Sequence, residues 1–211
     1  VKQTINSMKT DIQTLLNIGN LDIKVIGNQQ LTTLIEDRYS NFLGKSSAIH
    51  TTECQELDNL TALFEGEEAG TPHMVQTEDG FRIEHAPYFI IVLDAKLEIS
   101  TINFTSEPRP GPYRGYTSPL PFGLRRAIGC LYSILFVHHG KFMMHASSIQ
   151  INDQAIMCPG DSGTGKSTFF GMFSEAEQLN DEFVVVEPGT DSVLVQSTPF
   201  TTTWDFPREN R

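Results

Sequence analysis

The chain has 211 residues, 39% hydrophobic and 19% charged, with a formal net charge of −11. That size and balance support a folded core, as one large domain or two small ones, rather than disorder. The acidic excess argues against nucleic acid as a partner, since phosphate backbones are bound by clustered Lys and Arg.

Residues 4–18 carry Ile5, Met8, Ile12, Leu15 and Ile18, a spacing that predicts a helix. Leu21 to Val25 alternates as a strand, and Gly27-Asn28 marks a turn. A second helix is expected over 29–43, with Leu31, Leu34, Ile35 and Phe42 on one face. Residues 44–80 are polar and rich in turn formers; the acidic set Glu65, Glu67 and Glu68 reads as a solvated loop. Phe81 to His85, Tyr88 to Leu93 and Lys96 to Phe104 read as strands of an antiparallel sheet. The Pro- and Gly-rich stretch 107–121 reads as a linker. It separates an N-terminal α+β part, 1–106, from a second unit, 122–211.

In the second unit, Phe122 to Val137 is a strongly apolar segment, read as a buried helix ending in His138-His139. Strands over Lys141 to Ile151 and Ala155 to Cys158 form a hairpin around Asn152-Asp153. A helix is expected from Ser167 to Ala176. A further hairpin follows: Phe183 to Val186, a turn at Pro188-Gly189, and Asp191 to Val195. The fold class is therefore mixed α/β, rich in strands. No segment reads as a signal peptide. The longest apolar stretch, around Leu131 to Val137, falls far short of the ~20 residues a spanning helix requires, so no membrane partner is expected. The three cysteines, Cys54, Cys130 and Cys158, lack metal-ligand spacing and fit a reducing, cytoplasmic compartment.

The most specific signal is Gly160-Asp161-Ser162-Gly163-Thr164-Gly165-Lys166-Ser167-Thr168, the phosphate-loop pattern G-x-x-x-x-G-K-[ST]. Its glycines let backbone N–H groups point inward at phosphate oxygens. Lys166 supplies a cation for the β/γ-phosphates and Ser167 a hydroxyl for Mg²⁺, so ATP and Mg²⁺ are the expected ligands. The loop comes late. Only residues 169–211 follow it, too few for the parallel sheet of a GTPase or transporter-type ATPase. It is expected to pack on strands that precede it.

Phosphate binding does not define a reaction; a metal ligand and a base must come from elsewhere. Asp181 and Glu182 are the first acidic pair after the loop helix, and Asp181, at a strand mouth, is favoured to face the nucleotide. His145 lies in an apolar strand, where a histidine is more often a core residue than a catalyst. Asp161 either turns toward the metal or fixes the loop's own turn.

The order Met144-His145-Ala146-Ser147, then Ala155 through Ser167, then Leu179-Asn180-Asp181-Glu182 resembles the catalytic domain of HPr kinase/phosphorylase. The likeness spans about residues 122–200 and extends to the fold of phosphoenolpyruvate carboxykinase. It implies that Lys166 holds the β/γ-phosphates, that Ser167, Asp181 and Glu182 serve the metal, that Asp181 takes the proton of a substrate serine, and that His145 is the active-site histidine. Glu182 stands where the family has a second Asp. The family's regulatory domain has no match in residues 1–106, and its later elements are expected beyond Arg211. The resulting reading is an ATP-dependent kinase acting on a hydroxyl, Ser of a protein or peptide, with oligomeric state left open. A small-molecule kinase of the carboxykinase-like fold and a non-catalytic nucleotide-binding sensor are the alternatives.

Overall fold

The computed structural model describes residues 11–45, 47–58, 60, 63–64, 71–106, 120–161, 163–174 and 177–201. The expectations for 4–10, for Glu65, Glu67 and Glu68, for most of the linker and for Ser162 lie outside the described residues.

Two sheets organise the chain. The first has seven strands in the order β1-β2-β3-β7-β6-β5-β4. These are β1 Ile12–Ile18, β2 Leu21–Gly27, β3 His50–Glu56, β4 His73–Gln76, β5 Gly80–His85, β6 Phe89–Asp94 and β7 Ile99–Phe104. The expected antiparallel pairing holds from β5 through β7, and β4, which was not expected, adds to it beside β5; β2 with β3 and β3 with β7 run parallel, so the sheet is mixed.

Several sequence expectations are corrected here. Ile12–Ile18 is a strand, not the end of a helix. It pairs residue by residue with β2, closing at Ile18 opposite Leu21. The intervening Gly19 and Asn20 both have positive φ, +58° and +60°. That is the two-residue turn whose twist matches paired strands; it overrides the helical spacing, and burial alternates over Thr14, Leu16 and Ile18 while Leu15, counted on the helix face, is only half-buried. The helix expected over 29–43 stops at Arg38 (α1, Gln29–Arg38). Asn28 caps it by accepting from the Leu31 N–H at 2.9 Å, and it is not a free turn residue. The polar region 44–80 contains β3 and β4.

The helix α2, Phe122–His138, is as expected. Leu124, Ala127, Ile128, Leu131, Tyr132, Leu135 and Phe136 are buried at helical spacing, and the helix packs on β6 and β7 as well as on the strand Phe142–Ile151. A single large core gathers this stripe, the inner faces of β1, β2, β5, β6 and β7, and Val185 and Phe200 from the second half.

The second sheet contains β8 Phe142–Ile151, β9 Gln154–Pro159, β10 Gln178–Asn180, β11 Phe183–Pro188 and β12 Val193–Ser197. Its order is β10-β8-β11-β12, with β9 also on β8. The β8–β9 hairpin turns at Asn152-Asp153, both with positive φ. The loop helix α3 spans only Lys166–Phe170. The two sheets meet at the tip of the first hairpin. The Gly19 carbonyl accepts from Lys141 Nζ at 2.7 Å, and Lys141 also pairs with Glu187 at 2.9 Å. A Cβ on Gly19 would come within 2.9 Å of both Phe136 and Val185, so the close approach itself requires glycine. The Tyr132 hydroxyl donates to the Leu16 carbonyl at 3.0 Å. Among the described residues no helix is long and apolar enough to cross a membrane.

Candidate functional site

Strand β8 positions the site. Ala146 stands opposite Pro159, the last residue of β9 before the phosphate loop. The same Ala146 donates its N–H to the Glu182 carbonyl at 3.0 Å. One residue therefore anchors both the entry to the loop and the acidic bend. The neighbouring His145 pairs with Phe183, and their rings pack 5.1 Å apart at 32°.

The loop has the backbone its sequence demands. Gly160, Gly163 and Gly165 have φ of +155°, +87° and +93°, values that side-chain-bearing residues rarely adopt. Lys166 curls back over the loop, its ammonium donating to the Gly160 and Asp161 carbonyls at 2.8 Å each. Thr164 also donates its hydroxyl to the Asp161 carbonyl, at 2.8 Å. Asp161 thus anchors the turn through its backbone, while the residue itself is exposed. Lys166 is buried, and Ser167 and Thr168 are exposed at the start of α3. Ser162 lies outside the described residues.

Asp181 and Glu182 do not sit on extended backbone; they form a bend between β10 and β11. Asn180 holds it. Its side-chain carbonyl accepts from the N–H of Glu182 at 2.8 Å and of Phe183 at 3.1 Å, and its amide donates to the Thr198 carbonyl at 2.7 Å. Asn180 is completely buried. Sequence reasoning gave Asn180 no role, although an Asn ahead of an acidic pair is the residue type that bonds backbone two and three positions on.

Asp181 is only 4% exposed. Glu182 is half-buried, with its carboxylate 3.8 Å from His145 Nε2. Burial pushes the Glu182 carboxyl above its ordinary value; the Asp181 charge adds to this, while His145, Arg125 and Lys166 oppose it. These influences place the five side chains in one electrostatic neighbourhood. Arg125, on the first turn of α2, carried no signal in the sequence that would have linked it to the site. Its Nη1 donates to the Thr201 carbonyl at 3.2 Å.

No cluster of three or more His, Cys, Asp or Glu side chains suited to a metal occurs among the described residues. A magnesium ion bound mainly through nucleotide phosphates needs only one or two protein carboxylates, the number that Asp181 and Glu182 offer. A cavity of about 560 Å³ lies elsewhere, on the outer face of the first sheet beside Lys24, Glu36 and Thr51, and involves none of these groups.

No protein-family model matches the chain, and no curated protein matches it.

Proposed function

We propose that the chain binds Mg-ATP at residues 160–168 and transfers the γ-phosphoryl group to a hydroxyl, that of Ser in a protein or peptide. The observation that carries this reading is the double tie at Ala146. Pro159, which leads into the loop motif, and Glu182 of the acidic bend meet the same residue of one strand. The resemblance of this ordered set to HPr kinase/phosphorylase supports the reaction class.

In this reading the loop amides and Lys166 bind the β- and γ-phosphates and stabilise charge on the transferring group. Lys166 is released from the Gly160 and Asp161 carbonyls as the phosphates arrive. Ser167 and the acidic bend would hold Mg²⁺, which when bound neutralises phosphate charge. Asp181 orients the acceptor hydroxyl and takes its proton, and Asn180 fixes the backbone that aims it. His145 steadies Glu182. One observation favours exchanging the carboxylates: Glu182 is the more accessible of the two, half-buried where Asp181 is only 4% exposed.

Calorimetry with ATP and Mg²⁺ tests the binding half. Wild type is expected to bind and Lys166→Ala to lose most of its affinity; equal affinities would sink the assignment.

A further inference from the structure

The cavity of about 560 Å³ beside Lys24 is built from the first sheet and the segments packed on its edge. Its floor is a row across three strands. Leu15 of β1 stands opposite Lys24 of β2, and Lys24 opposite Thr51 of β3, so the three side chains share one face. Leu43 and Gly44 line one side, and Glu36 of α1 another. The Gly44 N–H donates to the Leu15 carbonyl at 2.8 Å, and the Ile49 N–H donates to the Asp22 carbonyl at 2.9 Å. A Cβ on Gly44 would strike the Asp22 carboxylate, so this side lies so close only because the residue is glycine. Backbone bonds therefore fix the walls before any ligand arrives.

Lys24 lies on an inner strand of the sheet, half-buried, with an apolar neighbour on one side and a hydroxyl on the other. No described residue forms an ion pair with it. Asp22, two positions earlier on the same face, accepts from the Asn17 amide at 3.1 Å. Glu36 lines the same space and likewise makes no ion pair with a described residue. Thr14, only 7% exposed, is a further lining residue, and among the described residues its hydroxyl has no hydrogen-bond partner. The cavity thus offers one cation and one anion that do not neutralise each other, two threonine hydroxyls, and apolar surface on Leu15 and Leu43. Its volume falls within the range of about 300–1,000 Å³ usual for small-molecule sites. Opposite charges fixed in one preformed cavity are complementary to a molecule that carries both, because each would form a charge-assisted hydrogen bond, about twice as strong as a neutral one.

We infer that this cavity is a binding site for a small zwitterion, a free α-carboxylate and a free α-ammonium group on an apolar body, as in an amino acid or a short peptide. Lys24 holds the carboxylate, with the Thr51 hydroxyl next to it in the same row. Glu36 holds the ammonium group, and the apolar part rests on Leu15 and Leu43. The site shares no residue with the phosphate loop, and the inference does not rest on the phosphoryl-transfer reading.

Free leucine and trialanine are the probes, each titrated by calorimetry into the full nucleotide-free chain. At least one should bind saturably, with a Kd of about 0.1–1 mM. Lys24→Met and Glu36→Gln should each weaken that binding about tenfold or more. Glu36 is exposed, so its variant puts folding at no risk. Blocking a terminus reads the same contacts from the ligand's side. Amidation of the carboxylate should weaken binding to wild type but not to Lys24→Met, and N-acetylation should weaken binding to wild type but not to Glu36→Gln. The backbone amide resonances of Leu15, Lys24 and Thr51 should move on titration, and those of residues 163–168 should not. Tighter binding of leucine assigns an amino acid, and tighter binding of trialanine a peptide. No saturable binding of either probe, binding that either variant leaves intact, or resonance shifts confined to the phosphate loop overturns the inference. Blocked probes that bind wild type as well as free ones overturn it too. If wild type fails to bind Mg-ATP while a zwitterion binds as described, the nucleotide reading falls and this site stands.

Discussion

Replacing Asn180 by alanine isolates the residue that shapes the acidic bend. The substitution removes three hydrogen bonds of 2.7–3.1 Å. It leaves the N–H groups of Glu182 and Phe183 and the carbonyl of Thr198 without that partner. Water reaches the half-buried Glu182 side, so the cost per group is set at about 1 kcal/mol, giving about 3 kcal/mol in all. For a chain of this size that corresponds to a fall in Tm of roughly 6–12 °C. In urea the midpoint should fall by about 1 M with an unchanged slope. Thr198→Val, which removes the hydroxyl bond to the Phe183 carbonyl and the weaker ones the hydroxyl accepts from the Phe200 N–H at 3.2 Å and the Asn180 amide at 3.4 Å, should cost about 1–2 kcal/mol. The phosphate loop is held by its own internal bonds, so nucleotide affinity should be nearly intact in Asn180→Ala while phosphoryl transfer falls. A loss of less than about 1 kcal/mol, or an equal loss of nucleotide affinity, would refute the view that Asn180 organises the bend independently of the loop.

Single-turnover rates should separate the two carboxylates. Asp181→Asn is expected to keep nucleotide binding and lose ~10²–10⁴-fold in transfer; a larger loss in Glu182→Gln would exchange their roles. Glu182 also has a pH signature. Its folded carboxyl lies above the ordinary value of 4.5, so the folded state holds the proton more tightly. Its contribution to stability is present below that value and is lost as pH rises through the raised one. Glu182→Gln should flatten that part of the pH–stability curve, as read by urea midpoints. His50 runs the opposite way. Burial lowers its pKa from 6.5, outweighing the Leu97 carbonyl and Asp94, which raise it. The unfolded chain therefore binds the proton first, and stability is full above 6.5 and falls as pH drops through the lowered value. His50→Gln should remove that dependence; an unchanged acid limb would show that other groups cause it.

The parts of this fold legible in the sequence were those whose pattern is local. The apolar run of α2, the Asn152-Asp153 hairpin and the alternation of β5 and β7 each declare themselves within a few residues. β3 did not, because its buried positions are His50, Thr52 and Cys54. Hydropathy does not mark that face: His50 bonds the Leu97 carbonyl at 2.7 Å, and Ser100 lies 2.8 Å from both His50 Nε2 and Thr52 Oγ1. β4 is exposed along its whole length and has no apolar face to betray it. β1 was hidden by a spacing that fits a helix, although Gly19-Asn20 offered the turn signal. At the site, the order of the loop and the acidic pair could be read from the residues, whereas the bond of Arg125 to the Thr201 carbonyl, 76 positions away, is encoded in no local pattern.

The first hairpin has a consequence for how the chain is made. Its tip is completed by partners that arrive far later in synthesis: Tyr132 bonds Leu16 across 116 positions, and Lys141 bonds Gly19 across 122. When β1 and β2 leave the ribosome, the helix and the lysine that seal them are not yet translated. The parallel pairing of β3 with β7 adds a second long wait. Contacts so distant along the chain close slowly and leave apolar strands exposed meanwhile. The β1–β2 hairpin is therefore open to chaperones and proteases during translation until Tyr132 and Lys141 are made and close on it.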